Sequence, residues 1–181
     1  MKKVLSVLAI AALFVVSFSS CGGNEKTATE LLTQKNGWVL SSATSSPAYH
    51  LSDGSFATDL MTEGYLMAWE LDDIIVFNEN GSHLLKPGKV VPESAADGFV
   101  AETSLGNWSF DNAENPEFIF MQVPFLYDYD AEGNFTFDAA VEKCQVLALT
   151  ENELRIKCTI DDTENPAKEI YSFTLTYVPA K

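Results

Sequence analysis

Asp73-Ile74-Ile75-Val76-Phe77-Asn78-Glu79-Asn80-Gly81-Ser82-His83-Leu84-Leu85-Lys86 reads as a β-hairpin, two short apolar runs meeting at an Asn-Gly pair. A tight hairpin turn needs positive φ, which Gly adopts without steric cost and Asn tolerates better than most residues. Pro87-Gly88 ends the second strand. The same punctuation recurs outward from this point. Upstream, Gly37 to Thr44 reads as a first strand ended by Ser45-Ser46-Pro47; residues 48 to 63 are polar and irregular around Gly54, and Tyr65 to Trp69 supplies apolar bulk in a helical turn plugging one end of the core. Downstream, a loop from Val90 to Thr103 leads to strands at Gly106 to Phe110 and Glu117 to Val123, separated by the turn Asp111 to Pro116. Pro124 to Asp138 reads as an elaborated loop with a short strand at Phe135-Thr136-Phe137. Three strands close the chain, Val141 to Leu149, Glu153 to Ile160 and Glu169 to Val178, joined by Thr150-Glu151-Asn152 and by Asp161 to Pro166.

Regularly spaced strands with short turns and almost no helical periodicity predict an all-β fold, either a meander closing into a barrel or a β-sandwich. The 161 residues from Cys21 onward, in a chain that is 46% apolar, are enough for one domain with a real core.

The N-terminus is of a different character. Lys2 and Lys3 form a charged n-region, and Val4 to Val16 is an apolar run of signal-peptide length, short for a membrane span. Ser17-Phe18-Ser19-Ser20-Cys21 resembles a bacterial lipobox, with Phe18 where a smaller aliphatic residue is more usual. The resemblance implies that residues 1–20 are a lipoprotein signal peptide and that Cys21 becomes the lipidated first residue of the mature chain. Each buried methylene contributes about 0.8 kcal/mol, so two or three acyl chains make a lasting anchor. The expected organisation is then a lipidated tether over residues 21–36, including one or two helical turns at Thr29-Glu30-Leu31-Leu32, followed by a β-barrel domain over 37–181. The expected location is the cell envelope, on the outer membrane, with the membrane itself as a partner through the N-terminal lipid.

Loss of residues 1–20 would leave nine basic residues against 26 acidic ones, moving the formal charge from −15 to −17. Such a field repels phosphate backbones, and there is no polybasic patch, so nucleic acid is not an expected partner.

Trp38-x-Leu40, Asp73-x-x-x-Phe77 followed by Asn80-Gly81, Gly106-x-Trp108, Val146-x-x-Leu149 before Leu154-x-Ile156, and a terminal aromatic strand resemble lipocalin-like lipoproteins of Bacteroidota over roughly Leu31 to Val178. That resemblance implies an eight-stranded up-and-down antiparallel β-barrel. The segments Pro47 to Glu63 and Pro124 to Asp138 are longer than the family's usual connections.

No catalytic signature stands out, and the chain reads as non-enzymatic and without a cofactor. His50 and His83 have no ligand-spaced partners, and there is no Gly-rich phosphate loop, His-Glu-x-x-His or Gly-x-Ser-x-Gly. Asp128-x-Asp130-x-Glu132-Gly133 matches the first half of a calcium loop, but Ala139 stands where the loop would need Glu; a solvated acidic loop and weak calcium binding are the alternatives. Cys144 and Cys158 flank the last hairpin turn on adjacent strands, either as a disulfide or as two buried thiols, since a one-residue slip would put them on opposite faces. Trp38, Trp69, Trp108, Phe110, Phe118, Phe120, Tyr171 and Phe173 are the candidates to face the barrel interior. An eight-stranded barrel either fills that interior or holds one small ligand there. Two functions follow: an anchored module binding a small apolar molecule, or an anchored interaction protein with a filled barrel contacting another envelope protein or a glycan.

Overall fold

The computed structural model describes residues 26–51, 54–62, 66, 68, 70–90, 102–123, 128–129, 135–136, 142–161 and 170–181. In chain order they form α1 (Ala28–Leu32), β1 (Trp38–His50), β2 (Phe56–Asp59), β3 (Ile74–Phe77), β4 (Ser82–Lys86), β5 (Thr103–Asn107), β6 (Ser109–Phe110), β7 (Phe118–Met121), β8 (Asp128–Tyr129), β9 (Phe135–Thr136), β10 (Glu142–Leu149), β11 (Leu154–Asp161) and β12 (Ile170–Pro179).

The Asn-Gly hairpin pairs β3 with β4, Phe77 opposite His83 and Ile74 opposite Lys86. Gly81 takes φ 84° and donates its N–H to the Asn78 carbonyl at 3.0 Å, the role that favours glycine there. From this hairpin the sheet runs β5-β4-β3-β1-β12-β11-β10-β7-β6, every pairing antiparallel. The first and last long strands, β1 and β12, lie side by side, and β5 and β6 are separated only by Trp108. One edge strand is thus continued by the other, and the nine segments form a nearly closed up-and-down antiparallel barrel; with β5 and β6 taken as one strand bent at Trp108, it has eight staves. Closure of this kind removes free sheet edges.

Which side chains point inward follows from the two-residue period of a strand. Tyr171, Phe173, Leu175 and Tyr177 of β12 and Leu154, Ile156 and Cys158 of β11 are buried at alternate positions. On β1 the period slips once. Trp38 and Leu40 face in, a bulge falls between Leu40 and Ser42, and Ala43 and Ser45 then continue the buried series. Ser41 Oγ donates to the Thr176 carbonyl at 3.0 Å within this bulge.

Three expectations change. The first strand does not stop at Ser45-Ser46-Pro47: β1 runs through a cis Ser46–Pro47 peptide to His50. Residues 48 to 63 are not simply irregular, because β2 folds back on β1, pairing Ala57 with Tyr49 and Phe56 with His50. The segment assigned to the tether belongs to the folded unit from Thr27. Thr27 and Glu30 form a capping box, the Glu30 N–H donating to Thr27 Oγ1 at 3.2 Å and the Thr27 N–H donating to Glu30 Oε2 at 2.7 Å. Leu32 at the end of α1 is fully buried, and Trp38 Nε1 donates to the Leu32 carbonyl at 2.7 Å. Gly37 joins α1 to β1 at φ 73°, so close to β3 that a β-carbon would stand 2.7 Å from the Ile75 carbonyl oxygen.

The two barrel ends differ. At one end lie α1, the turn after β3, the Asp111–Glu117 turn and the turn between β10 and β11. At the other lie the C-terminal ends of β4, β7 and β11. Of the expected helical turn at Tyr65 to Trp69, Tyr65, Met67 and Trp69 lie outside the described residues; Leu66 is buried.

Candidate functional site

The barrel interior is the first place to look, and the described aromatic and aliphatic side chains that face it are buried. Trp38 and Phe173 are 0% exposed and Tyr171 and Tyr177 1%, with Leu154, Ile156, Leu175, Ile119 and Met121 packed beside them. The two described tryptophans close one end of the barrel. Trp38 is held over α1 by its bond to Leu32. Trp108 donates Nε1 to the Asn78 carbonyl at 3.1 Å and its backbone N–H to the Gly81 carbonyl at 2.7 Å, clasping the β3–β4 turn where β5 passes into β6. Phe77 meets Trp108 edge-on at 5.9 Å, and Phe110 meets it at 5.4 Å while remaining half-buried.

Phe118 and Phe120 require correction. On β7 the fully buried positions are Ile119 and Met121, which places Phe118 and Phe120 on the opposite, outer face. Lys143 Nζ lies 3.8 Å from the Phe118 ring centroid on that outer wall. Tyr171 and Phe173 do face inward and meet Tyr49 at 4.9 and 5.6 Å, an aromatic layer toward the end opposite α1. Trp69 and Cys21 lie outside the described residues.

Cys144 and Cys158 stand directly opposite each other on β10 and β11, 4.3 Å apart at Cα, and are joined as a disulfide. That spacing belongs to the close, non-hydrogen-bonded pairs of an antiparallel ladder, and both cysteines are fully buried on the interior face.

Among the described residues, the polar groups embedded in the interior include His83 and the Tyr177 hydroxyl. His83, 1% exposed, stacks on Phe77 at 5.6 Å and has Nε2 3.1 Å from the Gln122 carbonyl. Burial holds its pKa below the ordinary imidazole value, more strongly than its contacts with the Gln122 and Gly106 backbone raise it. The Tyr177 hydroxyl has no hydrogen-bond partner among the described residues, and burial pushes its pKa up. His50 instead sits at the surface, edge-on to Phe56 at 4.5 Å. No group of three or more His, Cys, Asp or Glu residues among those described is placed to hold a metal ion. Of the acidic calcium-loop motif only Asp128 and Tyr129 are described, in a two-stranded ladder of β8 with β9; Asp130 to Gly133 lie outside.

Sequence reasoning missed a cleft on the outside of the barrel. It has a volume of ≈ 610 Å³ and lies between the start of α1, the turn residues Ala113–Pro116 and the end of β10 at Val146–Leu149. A second bulge, between Val146 and Ala148, leaves Leu147 outside the paired register, and all four residues from Val146 to Leu149 are half-buried. Val146 and Leu149 also touch the core, so the cleft floor is the core's own margin. Lys26, which lines the cleft, forms an ion pair with Glu151 at 2.6 Å, with both side chains mostly exposed. A pair so exposed contributes little to stability. The signal that was available is the Thr27-x-x-Glu30 capping box, which marks a helix start; its position over β10 is a tertiary fact.

Comparison with protein-family models, curated proteins and solved structures found no match. Among the described residues no helix is long and apolar enough to cross a membrane. What the fold defines is a nearly closed antiparallel barrel, consistent with a lipocalin-like one.

Proposed function

We propose that this chain is a non-enzymatic, lipid-anchored protein of the cell envelope, held through Cys21, whose filled barrel is a rigid scaffold presenting its outer surface to an envelope partner. The observation that carries the reading is the interior packing: Trp38, Tyr171, Phe173 and Tyr177 are at most 1% exposed, and the described tryptophans are engaged in closing one end. A filled interior at crystal-like density leaves no room for a guest. The alternative, a small apolar ligand carried inside the barrel, draws on the unpartnered Tyr177 hydroxyl, since a ligand polar group would satisfy it.

An apolar fluorescent probe separates the two. The titration is made with Ala148→Phe filling the outer cleft, so that only the interior is read. The scaffold reading expects no saturable quenching of tryptophan emission by steroid-like or aromatic probes. It also expects Trp108→Ala to cost roughly 3–5 kcal/mol as a cavity-forming change. Saturable quenching at one probe per chain, with the negative heat-capacity change of apolar burial, would replace the scaffold by the carrier.

A further inference from the structure

The outer cleft has a chemistry distinct from the barrel interior. Ala28 and Leu31 of α1 and Leu147 and Ala148 of β10 give it half-buried apolar walls, while Lys26 and Glu114 at its rim are exposed. Its ≈ 610 Å³ lies within the range of about 300–1,000 Å³ typical of sites that enclose a small molecule. A mostly apolar cleft whose two charged lining residues, Lys26 and Glu114, are exposed suits an unbranched hydrocarbon with a polar end left in water. The chain supplies a candidate occupant, because Lys26 at the cleft's edge is also the first described residue. Cys21 lies five residues upstream, a span of at most about 17 Å at full extension. A group carried on Cys21 therefore reaches the cleft without any rearrangement of the barrel.

We propose that this cleft is an acyl-chain site and that its occupant is a chain of the lipid on Cys21, sheltered there when the protein is away from a bilayer; this rests on the lipidation reading above. The acyl chain leaves water either for the bilayer or for the cleft, so the two sites compete for it. The exposed Lys26–Glu151 ion pair joins the residue just before α1 to the turn after β10, beside the cleft.

The test compares two forms of the chain beginning at position 21, which retains every described contact because these begin at Lys26. One form is extracted from membranes with its native N-terminus; the other carries Cys21→Ser. The probe is 11-(dansylamino)undecanoic acid. The Cys21→Ser chain is expected to bind it saturably at one per chain, and the native form at least tenfold more weakly because its own acyl chain occupies the cleft. Filling the cleft in the Cys21→Ser background should weaken binding at least tenfold, both with Ala148→Phe and with Ala113→Phe. Ala148 lies opposite the exposed Arg155 and Ala113 is exposed in a turn, so neither change enters the core. Absence of saturable binding, or binding that survives both cleft changes, overturns the acyl site. Equal uptake by the native and Cys21→Ser forms overturns occupancy by the chain's own lipid. The mass of the N-terminal peptide is measured in parallel: a native form without acyl mass removes the lipidation reading and own-lipid occupancy together, while the Cys21→Ser titration still reports on the cleft.

Discussion

Two buried polar groups set the residue-scale behaviour of this barrel. A hydroxyl buried without a partner costs about 1–3 kcal/mol. Tyr177→Phe keeps the ring and removes that oxygen, so the urea midpoint is expected to hold or to rise by the equivalent of about 1 kcal/mol. A clear loss of stability would instead mean that the Tyr177 hydroxyl is satisfied inside the barrel. His83 makes stability depend on pH. Its folded pKa lies below the unfolded value of about 6.5, so between the two the unfolded chain binds a proton that the folded chain does not. The stability it contributes is present above pH 6.5 and is lost as pH falls through the folded pKa. Asp73 and Glu142 act oppositely and lower in pH: burial raises their pKa values, so the folded chain takes up their protons first as acid is added. Urea midpoints measured from pH 7.5 down to 5 should therefore fall in the native protein and flatten in His83→Gln. An equal fall in both would assign the pH dependence to other groups.

At the scale of the element, α1 matters beyond its length. A helix of five residues has too few hydrogen bonds to persist alone, and its stability comes from what it packs against. The capping box starts it, the fully buried Leu32 docks it, and the Trp38 indole bonds its last carbonyl. Leu32→Ala is expected to destabilise the whole barrel by about 2–5 kcal/mol, as a core truncation does, with loss of hydrogen-exchange protection at the start of β1. A cost near zero would return residues 27–36 to the role of a tether. The bulges act at the same scale. One in β1 resets the inward phase after Leu40, and one in β10 releases Leu147 into the outer cleft.

For the whole molecule, function turns on where the barrel is held. Under the anchored-scaffold reading, Cys21→Ser in the full chain should leave no acylated product. Fractionation of expressing cells should then find the protein uncleaved or released, with the barrel's thermal transition unchanged. A Cys21→Ser protein that stays in the outer membrane with a trimmed N-terminus would dispose of the lipid anchor. Under the same reading the chain from Cys21 carries the formal charge of −17, so a charged protein partner would have to be cationic on its contacting face.

The sequence alone determined what depends on local chemistry. The Asn-Gly turn with β3 and β4, and the three closing strands β10, β11 and β12, are legible because turn residues and two-residue alternation act over a few positions. The sequence puts Cys144 and Cys158 on adjacent strands, whereas only the register of β10 with β11 sets them opposite each other. Tertiary structure decided the rest. Phe118-Ile119-Phe120-Met121 is apolar at every position, so no alternation reveals its phase; pairing with β10 and β6 turned Ile119 and Met121 inward and both phenylalanines out. Pro47 reads locally as a strand end, yet β1 continues through it beside β12 and folds back as β2. The cleft is built from three segments distant in sequence and brought together by barrel closure. Its apolar walls only face one another once α1 has docked beneath Trp38.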